Sequence, residues 1–121
     1  MVEPNQLKEW RRELQELHES IVKGRDQFEA WFEETALIEA DIDIETDDLR
    51  QCIVDIKKDK QRYREILCQI PEPAELSAEE VHKRNGKAST LLDLAAEIAV
   101  MEIHLPRKIE KMCFLLKHPS Q

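Results

Sequence analysis

Between residues 6 and 38 the apolar residues Leu7, Trp10, Leu14, Leu17, Ile21, Phe28, Trp31 and Ile38 recur at alternating steps of three and four, with Gly24 and Thr35 filling the two remaining positions. Such spacing puts every member on one side of an α-helix and on no single face of a strand. It predicts one long helix over residues 6–38. Gly24 weakens the middle of that helix by about 1 kcal/mol relative to alanine. Phe32 lies beside the stripe and widens it, so the second half should meet more than one neighbour.

The pattern then repeats. Leu49, Ile53, Ile56, Lys60, Tyr63, Leu67 and Ile70 form a second stripe over a helix at 47–69, in which Lys60 is the polar intruder. Thr46 or Asp47 can cap it, and the acids of the preceding connector suit the positive end of its dipole. Pro71 and Pro73 stop it, because proline cannot donate to the ladder and constrains the residue before it. Ser77 and Glu80 have capping-box spacing and open a third helix. Its stripe is Val81, Ala88, Leu91, Ala95, Ile98 and Leu105. Leu92, Leu94, Ala96, Ala99 and Met101 make it apolar on several sides, so it is expected to be the most buried helix. Pro106 should kink or break it, and the stripe resumes in register with Ile109, Met112 and Leu116.

These stripes predict an all-α chain, a single helical domain over residues 1–121 with helices at about 6–38, 47–69, 77–104 and 106–117. The expected architecture is an antiparallel three-helix bundle of coiled-coil-like character, its third helix kinked or broken at Pro106. Composition agrees: glycine occurs twice, aromatics are 5% and charged residues 36% of the chain. A sheet protein would need turn glycines and β-branched or aromatic faces. Residues 1–5 are expected to fray and the tail from His118 to be disordered.

At about 1.5 Å per residue the first helix would reach about 50 Å and the second about 35 Å. Two such helices do not cover one another. Either the first bends near Gly24, or Leu7, Trp10, Leu14 and Leu17 project as a partner-binding seam. Ile109, Met112 and Leu116 pose the same question beyond Pro106. Exposed stripes of that kind mark interaction surfaces.

The net charge of −8 argues against nucleic acid, whose binders are usually basic. Lys57, Lys58, Arg62 and Arg64 nevertheless form a basic run. The run could meet an acidic partner, a microtubule surface or a phosphate backbone; the competing reading is a solvated face paired to acids of the first helix. Cys52, Cys68 and Cys113 show no C-x-x-C or metal spacing, as for reduced thiols in the cytoplasm or nucleus. The N-terminus has no basic and apolar leader, and Leu91–Leu105 carries Asp93, Glu97, Glu102 and His104, too polar to span a bilayer.

Chemistry finds little foothold. Asp41, Asp43 and Glu45 have the alternation of a calcium loop, but Thr46 and Cys52 stand where that loop needs glycine and glutamate. Glu79 and His82 make one Glu-x-x-His, where a di-iron bundle needs two. No nucleophile, phosphate-loop or zinc-protease motif occurs. The expectation is no catalytic residue, no metal, no cofactor and no small-molecule substrate.

Residues Arg25 to Leu67 resemble the first two helices of a spectrin repeat. The resemblance lies in Asp26-Gln27-Phe28-Glu29-Ala30-Trp31-Phe32-Glu33-Glu34, the acidic connector, and Asp48-Leu49-Arg50-Gln51-Cys52-Ile53-Val54-Asp55-Ile56-Lys57-Lys58. The Pro-x-Pro connector, Pro106 and a third helix without the family's late Trp depart from it. The resemblance implies a left-handed three-helix module used as a spacer or docking platform. The residues themselves favour a non-catalytic scaffold or assembly subunit. It would bind a partner protein or its own kind through exposed helix seams, as parts of cytoskeletal, kinetochore-like or trafficking complexes do. The alternatives are a spectrin-like cytoskeletal spacer and a microtubule- or nucleic-acid-contacting subunit.

Overall fold

A computed structural model describes residues 4–41 and 46–117. The middle of the acidic connector, with the calcium-like Asp43 and Glu45, and the tail from His118 lie outside the described residues. Within them the chain is all-α, with no strand: α1 is Pro4–Lys23, α2 Arg25–Asp41, α3 Asp47–Gln69, α4 Ala78–Lys83 and α5 Gly86–Lys117, with a 3-10 turn at Pro73–Glu75.

The single first helix expected from the stripe is two helices joined at Gly24. The ladder still crosses the joint, since Gly24 N donates to Ser20 O at 3.2 Å and Phe28 N to Gly24 O at 3.1 Å. A break there, rather than elsewhere in the run, follows from glycine's conformational freedom. The start at Pro4 uses a residue suited to a first turn, where its missing N–H loses nothing.

The second helix begins as its cap dictates. Thr46 Oγ1 accepts from Leu49 N at 3.3 Å, and Asp47 and Asp48 occupy the first turn. It ends at Gln69, with Ile70 extended ahead of Pro71.

The expected third helix divides at its beginning instead of at Pro106. Ser77 Oγ accepts from Glu80 N, and Glu80 Oε1 from Ser77 N, each at 3.1 Å. This capping box starts α4, which ends six residues later with Arg84 in the left-handed region. Gly86 also has positive φ, +54°. Helix α5 then runs for 32 residues, unbroken at Pro106. The proline leaves the Glu102 carbonyl without a helical donor. Leu105, Ile109 and Met112, all buried, hold the helix on both sides of that defect.

Ion pairs fix the directions. Lys57 meets Glu39 and Arg64 meets Glu29, so α3 runs opposite to α2. Arg62 meets Glu97 and Lys108 meets Asp59, so α3 also runs opposite to α5. The core lies along these contacts. Its centre is aromatic: Phe28 stacks on Tyr63 at 4.3 Å, and Phe32 approaches the same ring at 5.9 Å. Ile53, Ile56, Ile66, Leu91 and Ile98 surround them.

Candidate functional site

The seam expected to project is covered by the chain itself. Leu14 is 2% exposed, Met112 0% and Ile109 7%. Leu7, Trp10, Leu17 and Leu116 are half-buried against the core. None of the seven forms an open stripe. The cover over α1 is the segment between α3 and α5. Arg11 Nη1 donates to the carbonyls of Pro73 at 3.2 Å and Leu76 at 2.9 Å. Arg84 pairs with Glu13 at 2.9 Å, and the Trp10 ring stacks on His82 at 5.4 Å. Pro73, Leu76 and Val81 are buried beneath this lattice. At the other end α3 covers α5: Leu49, Cys52 and Ile53 are buried in the same cluster as Ile109 and Met112, and the Cys52 thiol donates to Lys108 O at 3.2 Å. Burial pushes that thiol above its ordinary pKa.

The basic run is placed on the outer side of α3, where acids of the flanking helices meet it. Lys57 pairs with Glu39 at 2.6 Å and Arg64 with Glu29 at 3.5 Å. Arg62 forks onto Glu97, with Nη2 to Oε1 at 3.0 Å, and reaches Glu65 at 3.5 Å. The fork raises the Arg62 pKa and holds the Glu97 carboxyl below the usual carboxylate range. Half-exposed pairs of this kind contribute little to stability, but they set register between helices. Lys58 is exposed and has no ion pair among the described residues.

Among the described residues, two buried side-chain polar atoms are orphans. Tyr63 Oη, in a side chain with no exposed surface, has no hydrogen-bond partner, and burial pushes its pKa up to about 12. His18 Nε2 likewise lacks a hydrogen bond; the nearest acid, Glu72, stands 3.7 Å away. Among the described residues no three His, Cys, Asp or Glu side chains are placed to hold a metal, and no helix is long and apolar enough to cross a membrane.

Apolar surface remains open at single positions on α1, α2 and α3 (Val22, Leu37 and Val54) and as a group on α5, on the side away from the core. Val100 is 52% and Ile103 56% exposed. Ala96 and Ala99 are exposed beside them, and Leu92 is half-buried. The expectation that this helix is the most buried therefore holds for one side only. Ala88, Leu91, Leu94, Ala95, Ile98, Met101, Leu105, Ile109 and Met112 face the core, whereas Ala96, Ala99, Val100 and Ile103 are exposed. The signal was present in the spacing: Leu92, Ala96, Ala99 and Ile103 step by four, three and four, a second helical stripe offset from the first. Next to it, between α3 and α5, lies a depression of about 430 Å³ lined by Val100, His104, Arg107, Lys108, Lys111 and Asp59.

No family model matches the chain, and no curated protein or solved structure matches it either.

Proposed function

We propose that this chain is an antiparallel three-helix bundle, formed by the jointed α1–α2, α3 and α5, that serves as a non-catalytic scaffold or assembly subunit. It binds a partner protein through the outer face of α5, in a reducing compartment such as cytoplasm or nucleus. The observation that carries this reading is the pair Val100 and Ile103, both more than half exposed on a helix whose opposite side already supplies the core. A second apolar stripe adds nothing to folding of the isolated chain and costs solubility; a grouped stripe of this kind is the mark of an interaction surface. The ion pairs of Lys57, Arg62 and Arg64 favour a solvated, internally matched face over contact with nucleic acid or microtubules.

The test is the size of the protein in native cell extract, read by size-exclusion chromatography of the tagged full chain. The expected result is elution well above the 14.3 kDa of one chain, with Ile103→Asp shifting the peak to smaller size at an unchanged melting temperature. Elution of the unmutated chain as a monomer in extract, together with a monomer of the purified chain at about 500 µM, would overturn the proposal.

A further inference from the structure

The outer face of α5 has a charge pattern as well as an apolar one, and the pattern says what covers it. We infer that this face docks on the same face of a second copy of the chain, the two α5 helices antiparallel about a two-fold axis between Val100 and Ile103. The inference rests on the reading of this face as an interaction surface and names its occupant.

The reasoning begins with geometry. Asp93 and Lys111 lie about five full turns apart at 3.6 residues per turn, so they share one flank of the stripe. Both are exposed, and neither has an ion pair among the described residues. Their midpoint falls between Val100 and Ile103. One axis at that point sets Val100 against Ile103 of the second copy, and Ile103 against its Val100. The same axis brings Asp93 to within one residue's rise, about 1.5 Å, of the level of the second copy's Lys111 at one end, and Lys111 likewise to its Asp93 at the other. Each apolar contact and each ion pair thus forms twice, which is the requirement of a self-complementary, closed dimer.

The alternatives fail on charge. A parallel pairing would stack Asp93 on Asp93 and Lys111 on Lys111, with Arg107 against Arg107. Like charges so placed repel, and they reject that orientation more strongly than opposite charges reward the other. Glu110, the one acid near the basic end, lies about a quarter turn round the helix from Lys111, on the opposite flank of the stripe. Shape agrees as well. Ala96 sits opposite Arg107 of the second copy, so a small residue makes room for a long one, and the exposed alanines let the helix axes approach closely.

The patch is about 27 Å long from Asp93 to Lys111 at 1.5 Å per residue. One helix on one helix of that length buries less than a standard interface, so the dimer is a weak, exchanging one, with Kd of order 10 µM.

Sedimentation equilibrium of the purified full chain, from about 1 µM to about 500 µM, tests this across that Kd range. The mass should rise from that of one chain towards two. Ile103→Asp should stay monomeric throughout while melting like the unmutated chain. Asp93→Lys and Lys111→Asp should each weaken the dimer roughly tenfold, since each creates two repulsive pairs, and the double exchange should restore it to within about threefold. A chain that stays monomeric at 500 µM overturns the inference. So does a dimer that survives Ile103→Asp, or a double exchange no tighter than the single ones. A monomer in the centrifuge together with a large assembly in extract refutes the second copy alone and leaves the wider scaffold reading standing, with a different protein on the face.

Discussion

The middle of the molecule and the end where α1 begins are held by different physics. In the middle, the buried rings of Phe28, Phe32 and Tyr63 pack on one another, and the contacts are broad and non-directional. At the end, α1 is held under the segment 71–85 by discrete polar contacts, Arg11 to two carbonyls and Arg84 to Glu13, while the Ser77–Glu80 box braces the segment itself. The reason is backbone. Segment 71–85 is broken between its 3-10 turn and α4, so carbonyls at the break are left for outside donors, and Arg11 donates to two of them. Where helix meets helix, backbone groups are already paired and only side-chain volume is left to fit. The difference teaches that one bundle can have a core that fails globally and an end that fails locally.

The sharpest way to break this comparison is Phe28→Ala. It removes a side chain 1% exposed and should cost about 3–5 kcal/mol of unfolding free energy in chemical denaturation. A loss below about 1 kcal/mol would mean the ring stack does not hold the middle. A smaller effect is expected from Gly86→Ala. At φ +54° the added Cβ would stand 2.7 Å from Glu80 Oε2, the carboxylate that also accepts from Lys87 N at 2.8 Å. Left-handed backbone costs a non-glycine residue about 1–2 kcal/mol. Hydrogen exchange should therefore quicken in α4 and the first turn of α1 and stay slow in α3; uniform quickening would erase the distinction between the two regions. The smallest effect is that of Tyr63→Phe, expected within about 1 kcal/mol near neutral pH, because the lost hydroxyl had no hydrogen bond to lose. The phenol's pKa is raised to about 12 from 10. Its neutral form is thus favoured in the fold, and that stability is present below pH 10 and lost as pH rises towards 12. The unmutated chain should weaken over that window relative to Tyr63→Phe. Parallel decline of both proteins in alkaline melts would place the phenol in water.

Locally encoded features were legible in the sequence. The limits of α3 follow from Thr46 and Pro71, and the start of α4 from Ser77 and Glu80, because caps and stops act within one turn. Gly24 was readable as the weak point of the first stripe. Asn85-Gly86, a turn signal that splits the third helix, was passed over because Val81 and Ala88 keep the helical step across it. Of the kink or break expected at Pro106, the break does not occur: its cost is one lost bond, and buried Leu105 and Ile109 outweigh it. The projecting seam was misjudged because length was compared helix against helix. Segment 71–85, counted as a link, turned out to be a lid with its own buried Pro73, Leu76 and Val81. The outer stripe of α5 was visible as apolar residues, but periodicity alone does not say which of two stripes meets the core. That choice depends on how α1 and α3 flank the helix, which is a tertiary matter.

The three thiols form a built-in scale of accessibility. Cys68 is open to reagent, Cys113 half-open, and Cys52 closed, with its hydrogen engaged by the Lys108 carbonyl and its thiolate disfavoured by burial. An alkylating agent reaches the last of these only when α3 and α5 part. The speed at which the third label appears is then a clock for that parting, wound into the native chain without any added probe.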